Sequence, residues 1–214
     1  MSPDAPVPDL PEHWNYSAVF QSSSRPGQSG VAVYTRIKPN GIAPIDLRIP
    51  RFNSEGRSLL VQLDELAILN LYMPHGRRDR RDIPFKLEAY NHLLAFLDNW
   101  SGPPLLITGD FNIAKDDIDL ARPHQNRFNA MFSDPERSML FKLLGHGYVD
   151  SYRCSHPTAE EYTWWPYAFK ARERNIGWRI DYIFVPNALR SNIVSAQVHN
   201  EVFGSDHCPI SLVL

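Results

Sequence analysis

Seven short apolar or alternating runs punctuate this chain: GVAVYTR at 30–36, SLLVQL at 58–63, LAILNLY at 66–72, PLLIT at 104–108, RIDYIFV at 179–185, NIVSAQV at 192–198 and PISLVL at 209–214. Runs of this length, bounded by Gly, Pro, Asn or Ser, read as strands. Only two stretches carry helical spacing. In PFKLEAYNHLLAFLDNW the residues Phe85, Ala89, Leu93, Leu97 and Trp100 recur every three or four positions and make one buried stripe. The second opens on SDPE at 133–136, where Ser133 caps, Pro135 suits the first turn and Glu136 closes a capping box. Met139, Leu140, Leu143 and Leu144 supply its apolar face, and Gly145 and Gly147 end it. Many strands with few helices, too irregular for repeated βαβ units, predict an α+β fold: a two-sheet β-sandwich with helices covering the outside.

A length of 214 residues, 43% of them hydrophobic, supports one sizeable core rather than two. The first thirteen residues hold four prolines and no periodic pattern. Residues 1–29 are therefore expected to form an irregular lead-in and loop, with a single domain over 30–214. The net charge of −2 does not announce a polyanion partner, yet RRDRRD at 77–82 and KARER at 170–174 concentrate positive charge locally. Cys154 and Cys208 form no CxxC pair, which argues against zinc and for free thiols in a reducing compartment. No apolar stretch reaches membrane-spanning length and no signal pattern opens the chain, so the expected location is the cytoplasm, with the nucleoid as its site in a prokaryote.

The informative polar residues cluster where apolar runs end or begin. LAILNLY closes on Tyr72; LLIT leads into GDFN, with Asp110 and Asn112 two apart and on one side if the strand continues; NIGWRIDY sets Asp181 in a strand; SDHCP sets Asp206 and His207 ahead of the last one. Singly, each has a structural explanation as a turn cap or a satisfied backbone partner. Together, three carboxylates, an amide, an imidazole and a phenol supply what metal-assisted phosphodiester hydrolysis requires. Carboxylate oxygens suit Mg²⁺, an ionised carboxylate accepts a proton from water, an amide orients that water, and a carboxylate-paired histidine donates to a phosphate oxygen.

The segments LLITGDFNIAKDDIDL, YTWW, NIGWRIDY and GSDHCPISLVL, in that order, resemble the endonuclease/exonuclease/phosphatase superfamily, in its exonuclease III and apurinic/apyrimidinic endonuclease branch. The likeness runs from about residue 30 to the C-terminus and implies a DNase I-like sandwich. It implies that Asp110 activates water, Asn112 orients it or contacts phosphate, Asp181 partners His207, His207 contacts phosphate, Tyr72 touches the scissile phosphate and Asp206 binds metal. It also implies that Trp164, Trp178 and Ile180 form an apolar pocket for a base-free deoxyribose, whereas Trp165 packs internally. Asn126 and Asn129 match DNA-contacting positions, Arg77 and Arg78 reach the DNA backbone or groove, and Asp150 with Arg153 form a structural pair. The implied activity is Mg²⁺-dependent cleavage, with Mn²⁺ as the alternative ion, on the 5′ side of abasic sites in double-stranded DNA, with 3′→5′ exonuclease action beside it. No membrane or obligate protein partner is expected.

Members of that branch begin with a strand, a helix and a strand ending in a metal-binding glutamate, and residues 1–13 resemble instead the loop that follows it. The expected sandwich is therefore N-terminally incomplete, with exposed edges and one metal ligand fewer. Three explanations stand open: a start codon upstream, a deliberate fragment, or a catalytically inactive DNA-binding relative. A phosphatase acting on small phosphoesters ranks behind these, because YTWW and GWRIDY favour a nuclease.

Overall fold

The computed structural model describes residues 14–214; the proline-rich segment 1–13 lies outside the described residues. In chain order the strands are β1 (Ser17–Ser22), β2 (Gly30–Thr35), β3 (Gly41–Ala43), β4 (Ser58–Gln62), β5 (Ala67–Tyr72), β6 (Leu105–Asp110), β7 (Tyr148–Asp150), β8 (Asp181–Pro186), β9 (Ser195–Val198) and β10 (Ile210–Val213). The helices are α1 (Pro50–Ser54), α2 (Ile83–Asp98), α3 (Pro123–Asn126), α4 (Asp134–Gly145) and α5 (Ser151–Ser155). Among the described residues no helix is long and apolar enough to cross a membrane.

The main sheet has six strands in the order β3-β4-β5-β6-β8-β7. Among the described residues only β5 and β6 run parallel, and α2 makes the crossover between them, as a parallel pair demands. Alternation along β5 buries Ala67, Leu69 and Leu71 on the face that α2 and α4 cover, where they join Ala89, Tyr90, Leu93, Leu140, Leu143, Tyr182 and Phe184. The other layer comprises two ribbons, β1-β2 over β4 and β5, and β9-β10 beside β8. The expected sandwich is present, with its second layer divided between these ribbons among the described residues.

All seven anticipated strands form. The second helix carries the expected capping box, while the first stripe is centred on Ala89, Tyr90 and Leu93, with Phe85, Leu97 and Trp100 only partly buried at its margin. The lead-in is not wholly irregular: Ser17–Ser22 is a strand that pairs antiparallel with β2. Its weak SAVFQS alternation gains strand geometry from the neighbour rather than from its own propensity. The three-residue strands β3 and β7 were equally illegible, since so short a segment has no measurable period.

Candidate active site

Strands β5 and β6 end at Tyr72 and Asp110, and β8 begins at Asp181. Pairing sets Tyr72 opposite Asp110 and Asp110 opposite Asp181, so the three side chains stand abreast on the ribbon face. Gly109 makes this possible: its φ is 131°, and a Cβ there would lie 1.9 Å from the Leu71 carbonyl oxygen.

The strand does not continue through GDFN as anticipated. Asn112 adopts φ 53°, and the turn returns it to Asp110. Its backbone N–H donates to Asp110 Oδ1 at 2.8 Å, and its Nδ2 donates to Asp110 Oδ2 at 2.8 Å and to Met73 O at 3.0 Å. Both hydrogens on Nδ2 are thereby committed, so Asn112 offers a ligand only its acceptor oxygen. That geometry suits holding the O–H of a water and excludes donation to phosphate.

Burial and the negative charge of Asp181 push the Asp110 carboxyl well above the usual carboxylate range, against the opposing pull of His207 and the Asn112 N–H. Asp181 Oδ2 accepts from His207 Nδ1 at 2.9 Å. Burial acts to lower the imidazole pKa, but the Asp181 bond and charge, with Asp110 and Asp206 behind them, outweigh it and raise it to about 9. Histidine is then cationic at neutral pH, with Nε2–H as its remaining donor. Burial first, then Asp110, pushes the Tyr72 phenol upward, so it stays protonated.

Asp206 stands beside this group. Its Oδ2 accepts from Trp164 Nε1 at 3.0 Å, and Oδ1 lies 3.3 Å from the Ser205 hydroxyl. Trp164 also bridges by backbone pairing to both Trp178 and His207, which draws the indole segments against the imidazole. Trp164, Trp178 and Ile180 share one apolar cluster with Ala114, Leu120, Met131 and Phe132. Ile180 is only 2% exposed, however, so the two half-buried indoles are the surface open to a ligand. Trp165 packs internally with Tyr162, Ala171 and Cys208.

The remaining expected residues sit further out. Asn129 Nδ2 donates to Asn126 Oδ1 at 2.8 Å, and Asn126 Nδ2 donates to the Ala121 and Arg122 carbonyls, so this pair is tied to its own loop. Arg77 pairs with Asp82 at 2.7 Å and lines, with Tyr72 and His75, a cavity of about 190 Å³. Asp150 and Arg153 do not pair as side chains. Asp150 caps α5 and takes Arg179 Nη2 at 2.7 Å, while Arg153 turns to Asp119, which also holds Arg179 Nε at 2.8 Å. A buried guanidinium needs two carboxylates to offset its desolvation, and Asp119 supplies the second.

Several residues that shape the site carried little signal. Buried Thr163 accepts from the amides of Ile180 and Asp181 at 3.0 and 3.1 Å and fixes the start of β8. Arg57 donates to the Tyr72 carbonyl at 2.9 Å, with its guanidinium 4.6 Å from the Tyr72 ring centre. Lys86 and Glu136 form a fully buried pair at 2.6 Å. A lysine one position from the Phe85 stripe was the available clue.

A hard oxygen-liking dication fits the donor chemistry in limited form. Among the described residues no group of three or more His, Cys, Asp or Glu side chains is arranged to hold a metal, so Asp206 would act with water and substrate oxygens, a habit of Mg²⁺.

The chain resembles known proteins throughout its length. The family model described as Endonuclease/Exonuclease/phosphatase family matches residues 2–207, a span that includes the expected lead-in. An exodeoxyribonuclease of Bacillus subtilis is 36% identical over 208 residues, covering 96% of this chain and 80% of that protein. The structure of an AP endonuclease from Archaeoglobus fulgidus superposes with a TM-score of 0.86 at 27% identity, over 94% of this chain and 80% of that one. A 3′ phosphatase from Neisseria, bound to product DNA hairpin, gives 0.83 at 26% identity over the same shares. The chain belongs to the endonuclease/exonuclease/phosphatase family, in its exonuclease III and AP endonuclease branch.

Proposed function

We propose that this protein is a Mg²⁺-dependent DNA-repair nuclease that hydrolyses the phosphodiester on the 5′ side of abasic sites in duplex DNA, with 3′→5′ exonuclease action at the same centre, in the cytoplasm. The observation that carries the reading is the pairing of two dyads abreast, Asp110 with Asn112 and Asp181 with His207, beside Tyr72 and the Trp164–Trp178 wall.

Asp110, its basicity raised by burial and by Asp181, takes the proton of the attacking water. Asn112 Oδ1 accepts that water's second hydrogen and fixes its approach. The cationic His207 donates from Nε2 to a non-bridging phosphate oxygen, where negative charge grows as the bond forms. Tyr72 adds a neutral donor to the same phosphate. Asp206, with water, would hold the dication, which would supply Lewis-acid stabilisation of negative charge at the phosphate. The two indoles give a compact apolar surface that accepts a deoxyribose without its base, and a lesion lacking pairing and stacking costs least to extrude.

The test is cleavage of a duplex bearing one tetrahydrofuran site, with Mg²⁺ and with EDTA. Cleavage 5′ to the site in Mg²⁺ alone is expected; an intact duplex under both conditions overturns the reading. The sparse ligand set around Asp206 favours a second reading, a DNA-binding relative without turnover. It requires lesion-selective binding that survives EDTA.

A further inference from the structure

The turn that presents Asn112 is gripped from beneath through three consecutive carbonyls. Tyr90 Oη donates to Phe111 O at 2.6 Å, Lys86 Nζ to Asn112 O at 2.6 Å, and Tyr182 Oη to Ile113 O at 2.9 Å. All three donors are at most 1% exposed. The tyrosines are neutral and need no counterpart. The lysine is different, because an ammonium in that interior is costly unless something balances it.

Glu136 supplies the balance. Its Oε1 lies 2.6 Å from Lys86 Nζ and also accepts the Met131 N–H at 2.9 Å, while its Oε2 takes the Ser133 hydroxyl and amide. The third lysine hydrogen faces His75 O at 3.4 Å, in the loop that follows Tyr72. One buried cation therefore joins the Asn112 turn, the loop after Tyr72 and, through Glu136, the start of α4 and the Met131 wall of the apolar cluster. A capping box needs only Ser133 and Glu136. It does not explain a lysine placed across the core 50 residues away.

The structural alternative is that the pair merely fills space. Its weakness is chemical: an apolar pair of similar volume often stabilises as well as a buried ion pair. Asn112 also sits at φ 53°, a left-handed conformation that asparagine tolerates, and three partners fix it there. The Asp110 carboxylate holds the turn's N–H, Met73 holds the side chain, and Lys86 holds the carbonyl.

We propose that Lys86, balanced by Glu136, is a positioning residue for hydrolysis: it locks the backbone of Asn112 so that Oδ1 points at the attacking water. This rests on the assignment of Asn112 given above. Lys86 touches no substrate; it acts through Asn112.

The full chain tests this as three variants: Lys86→Met with Glu136→Leu, Lys86→Gln with Glu136→Gln, and Asn112→Ala. The first pair removes both charges and keeps the volume. The second retains polar atoms, but its amide is one atom shorter than lysine and misses the Asn112 carbonyl. Each is read by melting temperature, by hydrogen exchange at the Asn112 amide, and by kcat and KM on the tetrahydrofuran duplex in Mg²⁺.

For whichever double variant folds, the expected result is a melting temperature lowered by no more than about 10 °C, the part due to Met131 and Ser133 losing the Glu136 carboxylate. Exchange at Asn112 should be at least ~10-fold faster, while amides of the β5–β6 ladder keep their protection. The kcat should fall ~10–100-fold with KM unchanged, as for a displaced orienting group. A folded double variant with parental exchange at Asn112 and parental kcat overturns the proposal. If Asn112→Ala keeps full kcat, the role given to Asn112 fails instead, and the exchange measurement still decides whether Lys86 holds the turn.

Discussion

Replacing Asp181 by Asn removes one negative charge that faces both Asp110 and His207 while keeping a side chain of the same shape. Two titrations must then move together. His207 loses the partner that holds its pKa at about 9 and falls back toward the ordinary histidine value. At pH 7.5 the cationic fraction drops from about 97% to about 9% if the new value is about 6.5, a roughly tenfold loss of the competent form. Asp110 loses the like charge that, after burial, does most to raise it, so it ionises at lower pH and is a weaker base. Both limbs of the pH profile of kcat/KM should therefore shift to acid, and activity at pH 6 should suffer less than activity at pH 8. The assay is cleavage of the tetrahydrofuran duplex from about pH 5 to about 10 at fixed Mg²⁺. A profile lowered uniformly, with both limbs where the parent has them, refutes the electrostatic coupling of the three groups. Stability follows the same sign. The folded pKa of His207 is raised, so the dyad's contribution is complete below about 6.5 and is lost as pH rises through about 9. With His207 about one-third exposed, solvent screening holds that contribution to about 1 kcal/mol.

Gly109→Ala drives a Cβ to 1.9 Å from Leu71 O in the sheet centre, so destabilisation above about 2 kcal/mol by urea melting is expected, together with displacement of Asp110; a parental midpoint contradicts the close approach. Arg179→Leu leaves Asp119 with Arg153 as its remaining cation and Asp150 with the two α5 amides it caps, and a loss of about 3 kcal/mol is expected, read as a lower denaturation midpoint. Trp178→Ala removes half of the indole wall, so cleavage at abasic sites should fall more than exonucleolytic trimming of intact ends; equal losses contradict the pocket.

The seven runs announced a strand-rich sandwich because burial on one face and strand propensity are local properties, visible within five to seven residues. The capping box at Ser133 and Glu136 was legible for the same reason, since its partners lie three residues apart. Local chemistry also located the polar strand ends, from Tyr72 and Asp110 to Asp181 and His207. The alternation of SAVFQS was too weak to assert a strand until β2 lay beside it. Asn112 was expected to share a strand face with Asp110, and a left-handed turn achieves the same meeting by another route.

The amino-acid order alone determined which residue types stand at the mouths of strands, and so which chemistry the chain can attempt. Tertiary structure decided their company. The Tyr72–Asp110–Asp181 row is a register between strands far apart in sequence, and Lys86 meets Glu136, and Arg179 meets Asp119, only across the folded core. Charge partners at such separations leave no periodic trace, because what selects them is the cost of an unpaired ion in a low-dielectric interior, and that interior exists only after the chain has folded.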